Sequence, residues 1–527
     1  MLYNMKHSII RYTILSLLIL VVNSGCTKNF LDRNPPDQLA AGTFWKTQAD
    51  ADLALSGIYS YLIQGYNYTS STNTGQGWGS GTIYWETLSD NAFSGAFSPT
   101  AAGAIEATSG NVQSDAWLTP YRAIEACNIF LANVVKIPLS ANVMNRYIGE
   151  VRFIRAWYYF ILTQVYGDVV LSLRPLGKDS AGYQLPRTSK AIVTDSIISD
   201  LNFAIANLAD TSYSGTGHVV KGTALGYLAK LYLTNQRWQD AAATALIIMN
   251  SNKFSIYKGS AGYRGLFLKS GAVGAQNNNP EIMFSGRYSI PAVYSPADYL
   301  STYSASFQPL PNLVNDYECT DGLPISISPL YDPANPYKNR DPRLLATVLT
   351  PGVLYKGGIA FSASQAGSAS GFLNKKGVDS TRATVIQTQS DQDWVYLRYA
   401  EILLTYAEAQ NEAVGPDASV YDAIKLIRGR VNMPDLPPGL SQDSMRTLIR
   451  HERRIELAME GQRYFDLKRW RLDRVILPTI HDPGTTATNG PLRTFPLRDT
   501  LWPVPQAEID IARSYNNQGF LQTPGYN

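Results

Sequence analysis

The chain has 527 residues, 45 of them Lys or Arg and 42 Asp or Glu; Lys6 and Arg11 precede residue 26 with no acid beside them, so removing them leaves 43 basic against 42 acidic. No basic run interleaves with aromatic residues, which excludes a nucleic-acid-binding stripe. Only 17% of residues are charged, while 33 Tyr, 9 Trp and 17 Phe supply amphipathic rings suited to binding.

The first 25 residues combine the two basic side chains with a short apolar run, Ile14 to Val22, and the small or polar residues Asn23, Ser24 and Gly25. The run is too short to span a bilayer and reads as a signal peptide. The cysteine that follows, Cys26, is placed as in a bacterial lipobox, where it is lipidated and becomes the first mature residue. Cys127 and Cys319 remain, and a disulfide between them is allowed but not required. Residues 26–45, with Pro35-Pro36, read as a tether.

Length alone suggests several domains, yet the pattern reads as a single one over 46–527. Helical scaffold is expected mainly at 46–63, 115–250 and 395–470, and loop-rich binding segments mainly at 64–114 and 251–390. A first helix is predicted from Gln48 to Leu62 on the stripe Ala49, Leu53, Leu55, Ile58, Tyr59 and Leu62. From 64 to 114, Gly, Ser, Thr and Asn surround Tyr66, Tyr68, Trp78, Tyr84, Trp85 and Phe93 without a lasting period, as in a loop that presents rings.

Periodicity returns with helices expected at 115–136, 143–166, 189–208, 219–234 and 238–250. In the second of these, Ile148, Val151, Tyr158, Leu162 and Val165 form one apolar stripe, and Arg152 and Arg155 sit inside it. Buried guanidinium groups need acceptors, and Glu401 and Glu408 are candidates for Arg152, Arg155 or Arg463. The pair at 219–249 has about the length of a tetratricopeptide unit. Short strands are expected at 281–287, 323–327 and 353–361, and helices again at 395–414, 419–431 and 441–470. The fold class is mainly α: tetratricopeptide-like helix pairs as scaffold, a large irregular binding part, and a few short strands.

Several blocks resemble, in order, those of the SusD/RagB family: GEVRFIRAWYYFILTQVYGDV (149–169), KGTALGYLAKLYL (221–233), NRDPRL (339–344), YLRYAEILLTYAEAQNEA (396–413), AIKLIRGRVNMPDLP (423–437), IRHERRIELAMEGQRYFDLKRW (449–470) and WPVPQAEID (502–510). The resemblance implies a lipoprotein of Bacteroidetes-type bacteria, anchored through Cys26 to the outer membrane and facing the exterior. It further implies a partner TonB-dependent transporter of the SusC type, a nutrient ligand that is usually a glycan and sometimes a peptide, and no catalysis.

The residues bear on the same question independently. The histidines after the leader are His218, His451 and His481, with no HExxH, no neighbouring metal-ligand cluster and no GxSxG elbow. No cofactor or metal is expected. A surface glycoside hydrolase would need two facing carboxylates, for which Glu86, Asp90, Glu106 and Asp115 are available. Binding has the richer supply: sugar CH faces stack on Trp and Tyr while hydroxyls pair with polar side chains. Trp78, Tyr84, Trp85 and Asn91 are the expected platform on one side of an oligosaccharide. Arg287, Tyr294 and Tyr303, with Tyr288, Tyr299, Phe307 and Asp298 nearby, are expected on the other.

Overall fold

The computed structural model describes residues 44–63, 78–95, 98–110, 114–176, 182–213, 217–269, 274–290, 295, 298–380, 382–383, 390–483 and 492–526. Cys26, the leader and Tyr294 lie outside them.

The first helix, α1 (Gln48–Ser60), starts at a reciprocal cap: the Thr47 hydroxyl accepts from Asp50 N and the Asp50 carboxylate accepts from Thr47 N. It buries Ala51, Leu55 and Ile58. Then come α2 (Trp78–Thr87), α3 (Thr119–Val134), α4 (Ala141–Tyr166), α5 (Lys190–Asn207), α6 (Lys221–Thr234) and α7 (Trp238–Asn250). Each of α3 to α7 packs on the next, as in a stack of tetratricopeptide-like pairs. Helix α4 is buried along most of its length from Tyr147 to Tyr166, as a helix apolar on all faces must be.

The second half supplies α8 (Pro342–Thr347), α9 (Tyr399–Val414), α10 (Ala418–Arg430), α11 (Gln442–Glu456), α12 (Arg463–Arg469) and α13 (Gln506–Ser514). Helix α9 packs against α7, α10 and α11 and so joins the two halves. Strands are short. β1 (Ile282–Gly286) pairs antiparallel with β4 (Trp394–Arg398), and β2 (Leu354–Tyr355) forms a hairpin with β3 (Ile359–Ala360).

Four elements differ from expectation. Trp78 to Thr87, read as loop, is helix α2. Residues 323–327 form turns, not a strand. Residues 394–398 are strand before α9 begins. The single helix expected over 441–470 breaks after Glu456: Met459 and Gly461 take positive φ, and Gly461 N and Gln462 N turn to donate to Glu86 Oε1 at 2.7 and 3.1 Å.

The buried arginines are paired, though not as anticipated. Arg155 forks onto Asp200 of α5 at 2.8 and 2.9 Å and reaches Asn128, while Arg152 also bonds Asp200 at 2.6 Å. Glu408 instead takes Arg469 and the Trp470 indole, Glu401 takes Lys230, and Arg463 takes Asp90. At the centre, Arg343, Arg398 and Arg430 converge on Glu456, with Glu281, Glu452 and Glu460 around them. Burial alone would raise the Glu456 carboxyl, but the three guanidinium groups outweigh it and hold it well below the usual range.

Candidate functional site

Tyr84, Trp85 and Asn91, expected to face a ligand, are buried instead. Helix α2 points Tyr84 and Trp85 into the core, and Asn91 lies in the buried turn that follows it. Trp85, 4% exposed, stacks on Tyr464 and meets Phe465 and Trp502 with ring centroids 5.0 and 5.2 Å away. Trp85 also lines a cavity of about 60 Å³ with Trp157, Tyr227 and Lys230. Asn91 donates to Glu86 Oε2 at 2.7 Å and accepts from Arg454 Nε at 2.9 Å, so both ends of its amide serve the joint between the loop and α11.

The acids beside them are committed too. Burial raises the Glu86 carboxyl, which accepts two backbone N–H groups. Burial also works to raise Asp90, but Arg454 and Arg463 prevail and bring it down to about 2. Glu106 lies exposed against Arg498 at 2.7 Å. Among the described residues no group of three His, Cys, Asp or Glu side chains converges as a metal site.

Helix α2 includes Trp78, whose side chain is not among those described. Tyr288, Phe307 and Asp298 are buried. Asp298 accepts from Asp379 N at 2.9 Å, and burial lifts its carboxyl to about 6, so it anchors the turn that follows it.

That turn, the π-helical segment Tyr299–Tyr303, presents rings outward. Tyr303 is 61% exposed and lies over Tyr299 with centroids 5.0 Å apart and planes 22° apart. Lys356, in the β2–β3 hairpin, brings its ammonium 5.4 Å from the Tyr303 ring centre and 5.3 Å from that of Tyr355. Leu354 and Ile359 of the hairpin are exposed as well. The outer ring of this stack, with a cation and apolar edges nearby, makes a surface able to take the CH face of a sugar or another flat amphipathic group.

A second surface is concave. Between the end of α1, the chain around Gly217 and the end of β1 lies a cleft of about 310 Å³, with Ser56, Tyr59 and Ile63 on one side and His218, Ser285 and Arg287 on the other. Tyr59 donates to Glu150 at 2.7 Å, and His218 Nδ1 lies 2.8 Å from the same carboxylate. A third cavity, of about 240 Å³, lies between α3 and the C-terminal segment under Trp117, Tyr121, Glu508 and Phe520. Its walls are about 390 to 400 residues apart in sequence, and no local pattern signals it.

The model of the SusD family matches residues 271–526, and a second model, described as starch-binding associating with outer membrane, matches 29–233. The chain belongs to the SusD/RagB family. A SusD-like relative, protein P2 of Formosa agariphila, is 26% identical, the match covering 98% of this chain and all of that one. Among solved structures, a SusD-like carbohydrate-binding protein of Bacteroides fragilis is 28% identical with a TM-score of 0.78, covering 89% of this chain and 99% of that one. Another SusD-like protein of B. fragilis is 25% identical, also at a TM-score of 0.78, covering 94% and 100%. In this SusD/RagB chain the matched segments contain both exposed features, the Tyr299–Tyr303 pair in one and Ser56 and Tyr59 of the cleft in the other.

Proposed function

We propose that this protein captures an oligosaccharide at the cell surface and delivers it, chemically unchanged, to a partner TonB-dependent outer-membrane transporter of the SusC type. Residues 1–25 act as a signal peptide, Cys26 carries the lipid anchor, 26–45 are the tether, and 46–527 work as a single binding domain facing the exterior. Among the described residues no helix is long and apolar enough to cross a membrane, and on this reading the chain is held by lipid.

The observation that carries the reading is the outward-facing stack of Tyr299 and Tyr303 beside Lys356. Planar rings lose little freedom on binding and match sugar CH faces. The carbohydrate-binding relative from B. fragilis and the starch-binding family description support the same ligand class. Titration of Tyr299→Ala/Tyr303→Ala with an oligosaccharide panel tests it. Helical content is expected to stay unchanged while affinity falls by about tenfold or more, about 1.4 kcal/mol of binding free energy. Unchanged affinity would move the site elsewhere.

A further inference from the structure

The cleft beside α1 has a chemical character that the tyrosine platform lacks. Nine residues line it, among them Ser56, Ser60 and Ser285 with their hydroxyls, Gly217 and Arg287, and no Asp or Glu is one of them. Arg287 therefore supplies the permanent charge of its lining, and His218 beside it is held by the Glu150 carboxylate at 2.8 Å. The Arg287 side chain is 42% exposed, and its ion-pair partner, Asp393, is distant, with Nε 3.7 Å from Oδ2. The other Asp393 oxygen is already held by Lys269 Nζ at 2.8 Å and Tyr288 N at 2.9 Å. Arg287 consequently donates no hydrogen bond among the described residues, and its planar fork of donors stands at the wall of a carboxylate-free recess.

Gly217 makes room for it. A Cβ there would lie 2.2 Å from Arg287 Nη1, and the φ of +67° is one that other residues rarely adopt. Close approach of backbone and guanidinium is thus built into the cleft. The Ser56 hydroxyl donates to Asp52 O at 2.8 Å, which leaves its oxygen as an acceptor. At about 310 Å³ the recess is at the small end of ligand sites, roughly 300–1,000 Å³, and suits one sugar unit better than a chain.

We infer that this cleft receives the anionic group of an acidic sugar residue, a carboxylate or a sulfate ester, on the Arg287 fork, with the serine hydroxyls meeting the sugar's own. The inference rests on the oligosaccharide reading and adds the charge of the ligand to it. Guanidinium groups match both anions in bidentate geometry, and a hydrogen bond to a charged partner is worth more than one to a neutral hydroxyl.

Calorimetric titration of the purified full chain at pH 7 and low salt, with size-matched uronate-bearing, sulfated and neutral oligosaccharides, tests it. An acidic set is expected to bind about tenfold or more tighter than the neutral one, and which set does so identifies the anion. Arg287→Gln is expected to erase that advantage, and Arg287→Lys to keep part of it. Gly217→Ala, which pushes the guanidinium aside, is expected to act like Arg287→Gln. The inference fails, with the oligosaccharide reading intact, where neutral ligands bind as well as acidic ones or Arg287→Gln leaves the acidic affinity unchanged. Absence of binding by every oligosaccharide overturns both.

Discussion

Trp85 lies flat against Tyr464, ring centroids 5.6 Å apart and planes 17° apart, and the Trp502 indole behind them donates to the Tyr464 hydroxyl at 3.1 Å. This relationship ties α2 to α12 and to the C-terminal segment across nearly the whole chain. Trp85→Ala is therefore expected to cost about 3–5 kcal/mol of stability, as for other buried Trp truncations. Urea unfolding followed by circular dichroism measures it; a loss under about 1 kcal/mol would show that the ring is not a structural element.

Tyr303 should behave in the opposite way. It is exposed and touches Tyr299 and Lys356 only along a surface. Tyr303→Ala is expected to change stability by less than about 0.5 kcal/mol, so that any loss of ligand affinity is a binding effect. A large drop in the unfolding midpoint would place the ring in the fold instead.

Acid should undo the ionic core before it touches the apolar one. Burial opposes the charge on Asp90 and Asp466, but Arg454 and Arg463 for the first, and Arg453 and Arg469 for the second, bring each to about 2 from an ordinary 3.8. Folded-state values below the unfolded ones mean stability that is fully present above about pH 4 and lost as pH falls through about 2. Asp298, raised to about 6 by burial, acts in the other direction and in a higher window, between its ordinary value and about 6. Urea midpoints are thus expected to drop steeply between pH 4 and pH 2, and Asp90→Asn/Asp466→Asn to be less stable at pH 7 yet flatter over that range. A wild-type midpoint independent of pH there would contradict the assignment.

The difference between what was and was not readable follows from range. The α4 helix shows its period between Ile148 and Val165, and its burial follows from apolar faces all round. The partners of its arginines do not: Asp200 and Glu401 are equally good acceptors on paper, and only the packing of α5 on α4 selects Asp200. Trp85 was hidden for the same reason. Glycine and serine around it look like a loop, and the rings that bury it, Tyr464 and Trp502, lie about 380 and 420 residues on. Tyr303 and Arg287 could be singled out because exposed loop rings and cations need no distant partner.

Cys127 and Cys319 are both buried and both free thiols, so no disulfide joins them. Burial pushes the Cys127 thiol above its ordinary range, with Arg155 opposing weakly. Neither is expected to react with a thiol reagent in the native protein, and both should react on unfolding. The melting temperature should be the same with and without reductant. A reductant-dependent shift would argue for a disulfide.

The central claim is binding without turnover, and one measurement addresses it directly. The purified full chain is titrated calorimetrically with an oligosaccharide panel, and each mixture is then assayed for new reducing ends and shorter products. The account predicts saturable binding to at least one oligosaccharide and recovery of that ligand intact. Release of reducing ends by the pure protein, or no affinity for any oligosaccharide, would contradict it.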